Sequence, residues 1–120
     1  MTAKAPLASP SRLVAALAHL AGTIDARALE GDAASSWTAK LLAKGPDAAA
    51  SKVAEEGGEL AEAVRRESDE RVASEAADVI YHVFVALRSR GVALDAVAAA
   101  LEKRQGISGI AEKSARPAKD

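Results

Sequence analysis

The stretch KVAEEGGELAEAV, residues 52–64, sets four glutamates and a Gly-Gly pair into a segment with helical spacing. Its large apolar residues recur on one helical face and are Val53, Leu60 and Val64. We expect that face to pack against the rest of the chain. Glu56 and Glu59 lie one turn apart on one edge of the same face, so their carboxylates should reach the border between core and solvent.

A second acidic pair follows at the same spacing. The segment KVAEEGGE, residues 52–59, repeats as RVASEAAD, residues 71–78, with a basic residue, Val-Ala, a glutamate and a final acid in matching places. The two acidic pairs are Glu56 with Glu59 and Glu75 with Asp78. Both pairs are equally far from about residue 67, inside the turn-like segment RESDER. In an antiparallel hairpin of two helices, the four carboxylates would therefore lie at the same height.

Four carboxylates at one level have two explanations. They are either ordinary acids on solvated helix edges or ligands of divalent cations, which relieve the repulsion between carboxylates. Mg²⁺ prefers carboxylate and water oxygens and often binds substrate phosphates as well. The matched height of the two pairs favours a metal site suited to phosphoryl displacement. Glu55 and Glu62 fall on the opposite face and are expected in solvent, while Gly57 falls on the apolar face and would allow close helix packing.

Other parts of the chain carry the start and stop signals of further helices, and we find no convincing strand. The predicted helices start near Ser9-Pro10, at Trp37, at Pro46, at Ser68-Asp69 and at Leu94, and the last three end near Arg66, Arg90 and Arg104. We therefore predict an all-α bundle of about five helices, with a central antiparallel hairpin that carries the acidic pairs. It forms one domain over 1–120, with a flexible arm over 1–8 and an irregular tail over 106–120.

Composition limits the possible partners and metal ligands. The formal charge is −1, which gives no overall field for nucleic acid or membrane, and we expect neither partner. There is no cysteine, so a metal must be bound by oxygen or nitrogen ligands. No apolar run is long enough for a bilayer, and the first residues lack the apolar core of a signal peptide. We expect a cytoplasmic protein.

Hydrophobic residues make up 49% of the chain, but more than half of them are alanines, which bury little area. The predicted fourth helix is apolar around much of its circumference, with Val79 and Val83 on one side and Phe84 and Val85 on others. A helix of this kind is buried on more than one face. We therefore predict a homodimer whose interface includes the fourth helix, and expect Phe84→Glu to dissociate or unfold it.

The acidic pattern Glu-Glu-x-x-Glu at 55–59, followed by Glu-x-x-Asp at 75–78, resembles the signature of the all-α nucleotide pyrophosphohydrolase superfamily. The flanking segments SSWTAKLLAKGPDAAASKVAEEGGE, EAADVIYHVFVALRSRGVALDAV and GISGIAEKSAR resemble those of the phosphoribosyl-ATP pyrophosphatase family. This likeness covers about residues 11–116. The chain departs from the family at Ser35, where glycine is usual, at Trp37, where tyrosine is usual, and at the Gly-Gly pair between the acids.

The resemblance implies Mg²⁺-dependent hydrolysis of phosphoribosyl-ATP to phosphoribosyl-AMP and pyrophosphate in histidine biosynthesis, by a homodimer. The implied metal ligands are Glu56, Glu59, Glu75 and Asp78. The catalytic candidates are Glu55, Glu56 and Lys52. The candidates for substrate binding are Trp37, Thr38, Lys40, Lys52, His82, Lys113 and Arg116. The basic residues that either meet the ribose 5-phosphate or are simply solvated are Lys40, Lys44, Arg104, Lys113 and Arg116.

Several roles stay open at this point. Trp37 either stacks on adenine or simply packs, and Lys52 either contacts phosphate or tethers the acids. His82 is either a hydrogen-bonded residue at the edge of the site or a direct participant in catalysis. Two rival functions also remain: a house-cleaning pyrophosphohydrolase for non-standard or deoxynucleoside triphosphates, and a non-enzymatic helical bundle that binds a partner.

Overall fold

The computed structural model describes residue 4, residues 6–7 and residues 9–106. Its helices are α1 (Ser11–Glu30), α2 (Trp37–Lys44), α3 (Pro46–Arg66), α4 (Asp69–Arg90) and α5 (Leu94–Lys103). The described part of the chain contains no strand, which confirms the predicted all-α class and the number of helices. Most of the predicted arm over 1–8 and nearly all of the predicted tail over 106–120 lie outside the described residues.

Local signals in the sequence explain where the helices begin and end. The side chains of Ser36 and Ser68 accept hydrogen bonds from backbone N–H groups in the first turns of α2 and α4. Gly45 adopts φ 90°, which lets the chain turn directly from α2 into α3, and Pro46 then occupies the first position of α3. Gly91 ends α4 in the left-handed conformation. One boundary differs: α1 starts at Ser11, one residue later than predicted.

The α3 and α4 helices make the most extensive contact in the molecule and are joined by only two residues. A connection this short turns α4 back along α3, so the two helices run in opposite directions. The α2 helix packs on both of them, and α1 packs on α2 and α4. A small core forms where α1, α2, α3 and α4 meet, and its buried members are Ile24, Leu41, Ala49 and Val85.

The buried line of α3 differs from the predicted apolar stripe. Its buried residues are Ala49, Glu56 and Ala63, spaced seven apart, whereas Val64 is 66% exposed. The prediction for Val64 is therefore wrong. The small alanine side chains allow the neighbouring helices to approach α3 closely along the line of buried residues. The larger apolar residues on either side of that line therefore stay nearer to solvent. The glutamate between the two alanines is drawn into this contact.

Among the described residues, Gly57 does not lie at a close contact between helices. A Cβ atom built on Gly57 or on Gly58 would meet no neighbouring atom within 4 Å among the described residues. Both glycines therefore lie beside open space, although they interrupt the middle of α3.

The α5 helix differs from the other helices because it has no buried residue. Its exposed large apolar residues are Leu94, Val97 and Leu101, the last of them 60% exposed. An open groove of about 310 Å³ lies beside its start, between α1 and α4, and Phe84 is part of the groove lining. Among the described residues, no helix is both long and apolar enough to cross a bilayer.

Candidate functional site

A carboxylate cluster forms where α3 and α4 face each other. Glu56 from α3 and Glu75 and Asp78 from α4 each bring one oxygen atom to within 4.8 Å of the others. Glu56 is only 8% exposed and Glu75 only 4%, while Asp78 opens to solvent. We call these three residues the carboxylate cluster. The fold brings together three of the four acids that the sequence repeat predicts to meet.

Glu59, the fourth predicted ligand, lies at the border of the carboxylate cluster. A hydrogen bond with Glu56 and repulsion from the Glu56 carboxylate raise the pKa of Glu59 above its ordinary value. A raised pKa is the expected response of a carboxyl group held against other acids. The exposed Glu55 adds to this effect, and Lys52 opposes it. The acids therefore interact electrostatically as one group.

Each glutamate of the cluster has a basic partner four residues earlier on its own helix. The Nζ atom of Lys52 lies 3.7 Å from Oε1 of Glu56 and 3.4 Å from Oε2 of Glu55. In α4, Nη2 of Arg71 lies 2.6 Å from Oε1 of Glu75. Thus Lys52 and Arg71, the first residues of the two copies of the sequence repeat, are each paired with the glutamate four residues later.

Sequence reasoning missed Arg71 as a member of the site, although its place in the repeat was a usable signal. Its guanidinium donates to Glu67 at 3.2 Å as well as to Glu75. Hydrogen bonding to Glu67 and attraction to Glu75 raise the pKa of Arg71 further. Arg71 therefore supplies a positive charge to the buried carboxylate of Glu75.

The donor set of the cluster fits a hard divalent cation. Arg71 occupies one oxygen of Glu75, but the other oxygen, Oε2, is buried and has no hydrogen-bond partner. A buried carboxylate oxygen without a partner is costly, and a cation is one way to satisfy it. Carboxylate oxygens from three side chains match the preference of Mg²⁺ for oxygen ligands and leave room for water or phosphate.

A second group of side chains lies next to the cluster, on α2 and α3. Trp37 begins α2 and is 50% exposed, so it does not simply pack in the core. Three lysine ammonium groups lie close to its ring: Lys40, Lys44 and Lys52 are 5.8, 5.9 and 6.0 Å from the ring centroid. We call these four residues the lysine–tryptophan surface. Lys52 belongs to both groups, because it also contacts Glu56.

The predicted residues Thr38 and His82 both make hydrogen bonds within the chain. The Thr38 hydroxyl is hydrogen-bonded to the hydroxyl of Tyr81, which ties α2 to α4. The neighbouring His82 is buried, with Nδ1 hydrogen-bonded to the backbone carbonyl of Asp78 and Nε2 without a partner. Its ring packs edge-on against Tyr81. Sequence reasoning did not single out Tyr81, because the contact with Thr38 joins distant parts of the chain.

Two predicted residues, Lys113 and Arg116, lie outside the described residues, and Arg104 follows the end of α5. The other predicted site residues come from α2, α3 and α4, which pack on one another. Within the described chain, the acids and the aromatic ring with its lysines therefore occupy adjoining surfaces linked by Lys52.

The all-helical fold and the facing acids of α3 and α4 agree with the resemblance to the all-α nucleotide pyrophosphohydrolase superfamily. Residues 17–105 match the family described as phosphoribosyl-ATP pyrophosphohydrolase. The chain belongs to this family, which confirms the resemblance drawn from the sequence.

Curated relatives agree with the family match. The chain is 56% identical over 102 residues to a phosphoribosyl-ATP pyrophosphatase of Cereibacter sphaeroides strain KD131, covering 83% of this chain and 96% of the relative. It is 57% identical over 102 residues to the enzyme of that name from Ruegeria pomeroyi, covering 84% and 95%. A third relative of that name, from Rhodobacter capsulatus, is 50% identical over 101 residues, covering 84% and 97%.

Proposed function

We propose that this chain hydrolyses phosphoribosyl-ATP to phosphoribosyl-AMP and pyrophosphate, a step of histidine biosynthesis. Water attacks the α-phosphorus, the bond between the α-phosphorus and its bridging oxygen to the β-phosphate breaks, and pyrophosphate leaves. The observation that carries this proposal is the carboxylate cluster, two buried glutamates and an exposed aspartate whose oxygens lie close together in a chain of the matching family.

The carboxylate cluster would hold Mg²⁺ through Glu56, Glu75 and Asp78, with Glu59 beside them. When bound, the ion supplies charge neutralisation for the phosphates and Lewis acidity. The protein's own part is to fix the oxygens in place: Lys52 and Arg71 restrain the two buried glutamates by ion pairs. The α3–α4 contact supplies a partly dry environment, where charges act more strongly than in water.

A proton must leave the attacking water, and two kinds of carboxylate are placed to accept it. Glu55 is exposed and lies beside Lys52, which keeps it near the cluster without burying it. The alternative acceptor is one of the cluster acids. The two are separated by Glu55→Gln, which should lower turnover while leaving metal affinity unchanged only if Glu55 is the acceptor.

The direct test of the function is pyrophosphate release from phosphoribosyl-ATP compared with dUTP and dCTP, with and without Mg²⁺. We expect phosphoribosyl-ATP to be preferred and the activity to require the divalent cation. Equal or better activity on dUTP would favour a house-cleaning enzyme instead. Absence of metal-dependent hydrolysis on all three substrates, in a folded protein, would favour the non-enzymatic helical bundle.

The active form proposed here is a homodimer with two equivalent sites. Its support is the thin core, in which Leu41 and Val85 are the largest fully buried side chains of the described chain. Further support comes from α5, whose apolar residues lie unburied beside the groove near Phe84. These apolar surfaces are suited to a second copy of the chain.

Sedimentation tests the dimer, and the variant used should disturb association without disturbing the fold. Phe84 packs partly against the chain's own core, so Phe84→Glu would disturb folding as well as association. Leu101→Glu is cleaner, because this side chain is already largely exposed in the single chain. At micromolar concentration, Leu101→Glu should sediment as a monomer, whereas the wild type should sediment as a dimer. A wild-type chain that sediments as a fully active monomer would rule out the dimer.

The proposal also includes one pyrophosphohydrolase domain over 1–120 and a cytoplasmic location, both as expected from the sequence. The family match to residues 17–105 supports the single domain. The proposed substrate is a small nucleotide, and the proposed reaction needs neither nucleic acid nor a membrane.

A further inference from the structure

The lysine–tryptophan surface has more positive charge than the contacts within the chain use. Trp37, Lys40 and Lys44 lie on one face of α2, since they are separated by three and four residues. Lys52 reaches the same ring from α3. Three lysines from two helices therefore lie around one exposed indole, and this arrangement depends on the tight turn at Gly45 between α2 and α3.

The three lysines differ in their partners. Lys52 is paired with Glu55 and Glu56. Over the described residues, neither Lys40 nor Lys44 lies within ion-pair distance of a carboxylate, and both are exposed. Ammonium groups that share one ring repel each other, and cation–π attraction at an exposed site offsets only part of this. The surface is therefore complementary to an anion.

The position of this surface relative to the carboxylate cluster indicates which anionic part of the substrate it would bind. Lys52 bridges the two, with its ammonium 3.7 Å from Glu56 and 6.0 Å from the centre of the indole. The reacting phosphates belong at the cluster, where a divalent ion fits. Lys40 and Lys44 have no contact with the cluster acids and reach the indole along α2.

We propose that Trp37, Lys40 and Lys44 form a phosphomonoester subsite for the end of the substrate remote from the scissile anhydride. This inference rests on the proposed function. Phosphoribosyl-ATP has a triphosphate on one side of its purine and a ribose 5-phosphate on the other, whereas a simple nucleoside triphosphate has no second phosphorylated end. The exposed indole offers a flat surface to the purine or ribose, and the two lysines bind the 5-phosphate as mobile point charges.

The subsite makes this surface the determinant of substrate choice. A carboxylate cluster with a divalent ion treats all nucleoside triphosphates alike, since it meets only their phosphates. Two ammonium groups that engage only the second phosphate add affinity for one substrate and none for its competitors. Charge-assisted contacts of this kind should contribute about tenfold in affinity.

The first experiment uses ribose 5-phosphate as the probe, without divalent ions, and ribose as its uncharged control. Binding is measured by titration calorimetry, and Trp37, the single tryptophan of the chain, reports the location through its fluorescence. We expect ribose 5-phosphate to bind, ribose not to bind, and the double variant Lys40→Gln/Lys44→Gln to weaken binding about tenfold. Lys103→Gln, on the exposed end of α5, is the matched control and should bind as the wild type does.

A second pair of substitutions separates charge from folding. Lys40→Arg/Lys44→Arg keeps both positive charges and should retain binding, and helix content by circular dichroism verifies that each variant is folded. Equal binding of ribose 5-phosphate by the wild type and the folded Gln variant would overturn the subsite. So would a wild type that binds pyrophosphate at the Trp37 ring but not ribose 5-phosphate.

The kinetic experiment compares kcat/KM for phosphoribosyl-ATP with that for ATP. In Lys40→Gln/Lys44→Gln this ratio should fall about tenfold, mainly through KM for phosphoribosyl-ATP. An equal loss on both substrates would place the lysines at the triphosphate and overturn the proposal. If the wild type does not hydrolyse phosphoribosyl-ATP, the proposed function fails, whereas the ribose 5-phosphate titration still decides on the subsite.

Discussion

The carboxylate cluster and the lysine–tryptophan surface adjoin each other but are built in opposite ways. The cluster places two nearly buried glutamates between two long helices, each restrained by a basic residue on its own helix. The lysine–tryptophan surface is exposed, lies mostly on the eight-residue helix α2, and leaves two of its charges without a carboxylate partner among the described residues. Buried charges need rigid partners, whereas exposed charges stay available for a ligand that arrives later. The carboxylate cluster is thus suited to binding a metal ion, and the lysine–tryptophan surface is suited to selecting the substrate.

The largest effect should come from neutralising the carboxylates. Glu56→Gln, Glu59→Gln, Glu75→Gln and Asp78→Asn should each lower turnover by at least about 100-fold, the scale of losing one positioned electrostatic group. The fold should be retained, because removing one acid relieves repulsion among the others. Turnover and thermal melting of the metal-free protein check both parts.

Glu62→Gln is the control for this series. Glu62 lies on the same helix but pairs with Arg66 at 2.8 Å, outside the cluster. Its replacement should leave turnover nearly unchanged. Full activity in any two of the four carboxylate variants would remove the metal assignment and, with it, the contrast between the two regions.

The next effect concerns the hydrogen bond between Thr38 and Tyr81, which joins α2 and α4, two of the helices that carry the two regions. Tyr81→Phe should lower the free energy of unfolding by about 1 kcal/mol, the usual contribution of one partly buried hydrogen bond. Urea unfolding of Tyr81→Phe, Thr38→Val and the double variant measures the coupling. Strictly additive losses would show that the two hydroxyls do not stabilise each other.

Arg71 allows a smaller test of how the cluster is held before metal binds. Arg71→Gln removes the ion pair that restrains Glu75, so Mg²⁺ should bind roughly two- to fivefold more weakly, the scale of a partly exposed ion pair. Metal titration followed by melting temperature measures the change. Arg66→Gln removes a similar ion pair away from the cluster and should leave metal affinity unaltered. Tighter metal binding in Arg71→Gln would show that the arginine competes for Glu75 rather than restraining it.

The smallest expected effect is the pH dependence of Glu59. Its pKa is raised from 4.5, first by the hydrogen bond with Glu56, so the folded chain keeps this proton at pH values where the unfolded chain has lost it. The contribution of Glu59 to stability is therefore full below pH 4.5 and is lost as the pH rises through the folded-state value. Without metal, the wild type should lose stability relative to Glu59→Gln over that window. Urea unfolding on both sides of pH 4.5 tests this, and parallel curves would contradict it.

Much of the fold could be predicted because its boundaries are local. The Gly45-Pro46 pair, Ser68 and Gly91 act through their own backbone geometry or capping, so they mark helix ends without knowledge of the tertiary structure. The meeting of the acids followed from helical register and one short turn. Both kinds of inference need only distances along the chain.

The parts that could not be predicted depend on packing between distant segments. Helical spacing placed Val64 in the core, but the close contact runs through the alanines on either side of Glu56. The pairing of Thr38 with Tyr81 spans 43 residues and had no local signal. The exposure of α5 also had no local signal, since its own sequence has the apolar residues of a packed helix.

The two glycines of α3 have a consequence for the local opening of the helix. Gly57 and Gly58 stand between Glu56 and Glu59, and each weakens a helix by about 1 kcal/mol relative to alanine. Beside open space, neither gains a packing contact in return. Amide hydrogens around 56–59 should therefore exchange faster than those elsewhere in α3 when no metal is present. A cation that joins the two helices through their acids would slow this exchange, so the weakest turn of α3 would become ordered only when the site is loaded.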